Sequence, residues 1–344
     1  MPRNRPLRWV LVALGATLAT VVISERRWVM GGLILAIAVT RALMLLNGPG
    51  RRHAAGVADR RLARPRGAQV AAMRQIAVGA TTRKYLLHVP PGASPGRRPL
   101  VVVLHGGFGS AQQAQRSYRW DSLADREGFV VAYPNGVRRA WNAGTCCGPA
   151  SRQGIDDVAF IDALVRALEG SGEIDPERVY ATGMSNGAMM AYRLACDLPG
   201  RFAAIGPVAG TMTVHGARAS ATSVCHIHGL ADHNVPFHGG VGRSVARDSR
   251  ASVPSVIANW RSIDGCGPAF VSQDRSVRTE TAVAGDGRAV TLITVAGAGH
   301  QWPGSVARTP RRGRSVLIDP PSTALDATAT LWRFFKDHPR PAVG

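Results

Sequence analysis

The stretch Val179-Tyr180-Ala181-Thr182-Gly183-Met184-Ser185-Asn186-Gly187 constrains this chain more than any other. A short apolar run reads as a buried strand, a G-x-S-x-G pentapeptide follows it directly, and residues 186–196 then carry helical spacing. A chain that turns from strand to helix within five residues has no room for side chains on its flanks, which explains glycine at 183 and 187. Such a turn presents the Ser185 hydroxyl above the sheet, at the positive end of the following helix.

The rest of the chain supplies the sheet. Strands are expected at 85–89, 100–104, 129–132, 179–182, 224–228 and 290–295, and helices at 112–126, 157–168, 186–196, 254–262 and 323–335. The unbroken apolar run at 100–104 suits a strand covered on both faces. Alternating strands and helices give an α/β class with a mainly parallel sheet and helices on both faces.

Charge separates the N-terminal region from this pattern. The chain has 344 residues and a formal charge of +20, and residues 1–75 hold 13 arginines against only Glu25 and Asp59. Lys84 and Lys336 are the sole lysines, so the basic excess is almost wholly arginine. Two apolar runs, 9–24 and 28–46, lie within this basic stretch, the second interrupted by Arg41. We therefore expect a signal or membrane-anchor region at 1–50, a basic linker at 51–75 and a catalytic domain at 76–340. Arginines beside apolar runs fit membrane topology or anionic headgroups. No aromatic-basic interleaving points to nucleic acid. The expected location is extracellular or in the cell envelope, with membrane association through the N-terminus. The five cysteines show no C-x-x-C spacing, which argues against zinc or a thioredoxin-like motif, and an exported protein is expected to hold one or two disulfides.

A serine hydroxyl needs a base within hydrogen-bond reach and a third group to orient that base. His300, in Gly297-Ala298-Gly299-His300-Gln301-Trp302-Pro303-Gly304, follows the last expected strand and is the candidate base. Asp232 lies beyond the 224–228 strand and completes the order Ser, Asp, His of an α/β-hydrolase fold. Asp248 and Asp264 compete within the same interval, but their polar neighbours suggest solvated carboxylates. Two backbone N–H groups should face the oxyanion. Asn186 is one donor, and Gly107 of His105-Gly106-Gly107-Phe108-Gly109 is preferred over its neighbours as the other, with His105 supporting the loop. His226, His228, His233 and His238 lack a metal-ligand pattern, so neither a metal nor a cofactor is expected.

These segments, with residues 83–92, 141–148 and 202–210, make the chain resemble the secreted esterase family of polyhydroxybutyrate depolymerases, feruloyl esterases and acetyl xylan esterases. The resemblance spans residues 76–338. It implies a serine carboxylic-ester hydrolase acting through an acyl-enzyme on polyester, on feruloyl or acetyl polysaccharide, or on small aryl and alkyl esters. It also implies that Ser185, Asp232 and His300 hold the triad positions, that Trp302 borders the acyl pocket, and that Cys146 or Cys147 joins a disulfide. The alternatives are an acyltransferase with the same triad and a non-catalytic, membrane-tethered binding protein on the same scaffold.

Overall fold

The computed structural model describes residues 72–92, 96–214, 222–243, 249–306 and 319–340. The expected signal or anchor region and nearly all of the linker lie outside the described residues, as does Asp248. The first strand, β1, runs Arg74–Val78, followed by β2 (Thr81–His88), β3 (Arg98–Leu104) and β4 (Val130–Pro134). After them come β5 (Ile174–Met184), β6 (Ala204–Val208) and β7 (Ser223–Gly229), then the short β8 (Gly240–Val241) and β9 (Ser249–Arg250). The last three are β10 (Phe270–Asp274), β11 (Val277–Val283) and β12 (Ala289–Val295).

Ten of these form one sheet in the order β1-β2-β4-β3-β5-β6-β7-β12-β11-β10, while β8 and β9 pair with each other. From β4 to β12 every neighbouring pair is parallel, and antiparallel strands extend both edges. This is the mainly parallel sheet expected. The period-two alternation of a strand divides β3 between two cores: Leu100, Val102 and Leu104 join one, Val101 and Val103 the other. Helices α1 (Ala111–Tyr118), α2 (Trp120–Glu127) and, at the chain's end, α7 (Ala327–Asp337) cover the second core. The first is covered by α4 (Asp157–Glu169), α5 (Asn186–Asp197) and α6 (Val253–Ile263), and the short α3 (Gly148–Arg152) precedes them.

The helix expected at 112–126 is two helices, broken at Arg119, whose φ is 65°. Positions 118 and 120 lie about 200° apart around one helix, so a continuous helix would turn one of them outward. The break lets Tyr118 and Trp120 both enter the core. Among the described residues no helix is long and apolar enough to cross a membrane. Cys146 and Cys147 are adjacent in the chain, and Cys196, Cys225 and Cys266 are free thiols.

Candidate active site

The turn between β5 and α5 is tight enough to strain Ser185, which has φ 57° and ψ −118°. A non-glycine residue in that region stores about 1–3 kcal/mol, and it persists only where its surroundings over-determine it. They do so here. A Cβ on Gly183 would stand 2.6 Å from the Gly187 carbonyl carbon and 2.7 Å from the Leu104 oxygen, and one on Gly187 would stand 2.7 Å from the His105 oxygen. The Ser185 N–H donates to the Val208 carbonyl at 2.9 Å, tying the turn to β6.

His300 reaches this serine from the loop after β12. Its Nε2 lies 3.0 Å from Ser185 Oγ, and its Nδ1 lies 2.7 Å from Asp232 Oδ2. A carboxylate only accepts, so the imidazole proton sits on Nδ1 and the Nε2 lone pair faces the hydroxyl. The other Asp232 oxygen accepts the N–H groups of Asn234 and Val235, each at 2.8 Å. Burial alone would raise the Asp232 pKa, but the hydrogen bond and charge of His300, with His228 and the Val235 N–H, hold it below its ordinary value. Asp232 thus remains a carboxylate.

Behind it runs a buried chain. His228 Nε2 donates to the Val235 carbonyl at 2.8 Å and lies 3.6 Å from Asp232 Oδ2; His228 Nδ1 meets His226 Nε2 at 3.1 Å, and His226 Nδ1 meets Tyr192 Oη at 2.8 Å. Because the Val235 carbonyl can only accept, every proton in the chain is assigned, ending with Tyr192 as donor. Burial lowers the pKa of both imidazoles and keeps them neutral.

The two expected oxyanion donors are neighbours. A Cβ on Gly107 would lie 4.0 Å from Asn186 Cβ. The Phe108 N–H is already committed to the Arg139 carbonyl at 2.8 Å, which removes it from the candidates. The Asn186 side chain clasps the Trp141 backbone, its Oδ1 accepting from Trp141 N at 2.7 Å and its Nδ2 donating to Trp141 O at 3.0 Å. Trp141 in turn donates its indole N–H to the His105 carbonyl at 2.8 Å. His105 Nδ1 donates to Gly106 O at 2.8 Å, and its Nε2 accepts the Gly136 N–H at 3.0 Å. Burial, opposed by the Gly106 bond and reinforced by Arg139, lowers the His105 pKa to about 4. His105 therefore supports the loop as a neutral ring, the part expected of it.

Two expectations need correction. Trp302 is a core side chain: it is 1% exposed, stacked on Tyr118 at 4.3 Å, set edge-on to Trp120, and its indole N–H donates to Thr328 at 3.0 Å. Its surroundings belong to the α7 core. Asp264 is not solvated either; it is 4% exposed and paired with Arg288 at 2.6 Å, with burial raising its pKa to about 6 against the pull of Arg288. Sequence reasoning also missed Asp319, whose carboxylate accepts the His300 N–H at 2.6 Å while its own N–H donates to the His300 carbonyl at 3.0 Å. No motif marks it, because the two residues stand 19 positions apart in sequence.

Residues 83–264 match the family described as Esterase PHB depolymerase. The chain is 35% identical over 253 residues to the putative esterase NocK of Nocardia uniformis subsp. tsuyamanensis, covering 67% of this chain and 74% of that one. It is 27% identical over 197 residues to feruloyl esterase B of Piromyces equi, covering 54% of this chain but only 36% of that longer protein. Among solved structures, the acetyl xylan esterase from Aspergillus awamori shares the fold with a TM-score of 0.54 at 17% identity, covering 77% of this chain and 99% of that one.

Proposed function

Since the chain belongs to the Esterase PHB depolymerase family and is an esterase of the α/β-hydrolase type, we propose that it is a serine carboxylic-ester hydrolase working through an acyl-enzyme. The observation that carries this reading is the unbroken hydrogen-bond line from Ser185 Oγ through His300 to Asp232, at 3.0 and 2.7 Å. His300 Nε2 takes the Ser185 proton as Oγ attacks the ester carbonyl, and Asp232 stabilises the imidazolium that forms. The negative charge on the tetrahedral oxygen is held by the N–H groups of Asn186 and Gly107, each such donor being worth about 3 kcal/mol. His300 then passes its proton to the departing alcohol, leaving an ester on Ser185. Water, deprotonated by the same imidazole, attacks that ester, and the proton returns to Oγ as the acid is released.

The substrates are carboxylic esters of the kinds its relatives are named for, feruloyl or acetyl esters of polysaccharide and hydroxyalkanoate polyester, together with small aryl and alkyl esters. The protein acts outside the cytoplasm or at the envelope, with the arginine-flanked apolar runs of residues 1–50 directing export or holding it at a membrane. Replacing Ser185 by Ala tests the chemistry. We expect turnover of a nitrophenyl ester to fall by about 10⁴-fold or more, with the thermal transition unchanged. A Ser185→Ala protein that still hydrolyses the ester at a comparable rate would refute the reading.

A further inference from the structure

An oxyanion hole works only if its N–H groups already point at the developing charge, so the orientation of the Gly106–Gly107 peptide matters. The Gly106 carbonyl accepts two hydrogen bonds, from His105 Nδ1 at 2.8 Å and from the Gly109 N–H at 2.9 Å. In a trans peptide the C=O and N–H point in opposite directions, so pinning that carbonyl turns the Gly107 N–H the other way. The next three peptide groups are all gripped by one residue. The Arg139 carbonyl accepts the Phe108 N–H at 2.8 Å, its guanidinium Nη2 donates to the Phe108 carbonyl, and its Nε donates to the Gly109 carbonyl at 3.1 Å.

This grip is bought with strain. Phe108, Arg138 and Arg139 have φ of 60°, 49° and 65°, all in the left-handed region that favours glycine. Each costs about 1–3 kcal/mol, and such conformations persist where surrounding contacts demand them. Arg139 is itself exposed and forms no ion pair among the described residues, so its contacts go to the loop rather than to a structural salt bridge.

We propose that Arg139 is a positioning residue that locks the 105–109 loop in the orientation leaving the Gly107 N–H free, so that the oxyanion hole is formed before substrate arrives. The proposal rests on the reading of Gly107 and Asn186 as oxyanion donors. Arg139 touches no reacting atom and acts through the loop alone. Its backbone carbonyl survives any substitution, so only the guanidinium share of the grip is open to mutation.

The test compares wild type with Arg139→Ala, Arg139→Lys and Ser185→Ala. Arg139→Ala removes both guanidinium hydrogen bonds and should lower kcat by about tenfold or more, at least the worth of one charge-assisted bond, with KM within about twofold. Affinity for an alkylboronic acid that mimics the tetrahedral intermediate should fall in step with kcat/KM. Arg139→Lys, which retains one donor, should recover part of both losses. Because the side chain is exposed, the variants should melt close to wild type. Unchanged kcat and boronate affinity in Arg139→Ala would overturn the proposal, as would a rise in KM with kcat intact, which would make Arg139 a substrate contact. With Ser185→Ala inert, either result leaves the esterase mechanism standing; residual turnover in Ser185→Ala would instead remove the mechanism itself.

Discussion

The two loops that bring the oxyanion donors together are held by opposite means. The turn at Ser185 is enforced sterically: Gly183 and Gly187 press against the end of β3 and against each other, with Ser185 held between them at φ 57°. The loop at 105–109 is held by polar groups borrowed from residues 135–142, through His105, Trp141 and Arg139. One geometry is written in five consecutive residues; the other is assembled from two segments some thirty residues apart. A close-packed turn should therefore fail when volume is added, and a hydrogen-bonded loop when a donor or acceptor changes state.

The largest effect should come from adding volume to the turn. Gly187→Val places carbon against the Leu104 and His105 carbonyls, and we expect a loss of about 3 kcal/mol or more, seen as a lower thermal midpoint together with lost activity. Wild-type stability in that variant would break the steric half of the contrast. Changing the protonation of the polar loop comes next. The His105 pKa is about 4 in the folded protein, below its ordinary 6.5. Its contribution is then complete above pH 6.5 and is lost as pH falls towards 4, because the unfolded chain takes up a proton that the folded chain refuses. The loss is about 3 kcal/mol, and His226 and His228 act in the same direction. Urea unfolding between pH 7.5 and 4 should show a smaller dependence for His105→Gln than for wild type; identical slopes would contradict it.

Asn186→Ala removes the clasp on Trp141, leaving its buried N–H unmatched and its carbonyl with the Cys147 N–H alone. We expect a cost of about 2 kcal/mol, with kcat falling more than KM rises. The mildest case is Asp319→Asn, which keeps an acceptor for the His300 N–H but loses its charge. About 1 kcal/mol separates the two kinds of bond, so a several-fold fall in kcat/KM is the outcome to measure, and no change would show that Asp319 merely fills space.

The contrast also explains what could be read in advance. Buried strands at 100–104, 179–182 and 290–295 and the turn at Ser185 are local patterns, and each lies where its residues suggest. His300 and Asp232 were legible because each follows such a strand. Trp302 was misread because its neighbours Tyr118, Trp120 and Thr328 come from α1, α2 and α7, which no motif around position 302 reveals. Asp264 looked solvated because its partner Arg288 stands on the far side of the β10–β11 hairpin. That hairpin went unrecognised as well: β10 is exposed along its whole length, so apolar periodicity had no burial to report. The clasp of Asn186 on Trp141 and the grip of Arg139 are equally non-local.

The convergence of Ser185, His300 and Asp232 is tested most directly by covalent trapping. Wild-type protein treated with an alkyl fluorophosphonate and digested for mass spectrometry should carry one adduct, on Ser185, and His300→Ala should acquire it far more slowly. An adduct on any other residue, or full inactivation of His300→Ala at the wild-type rate, would contradict the account.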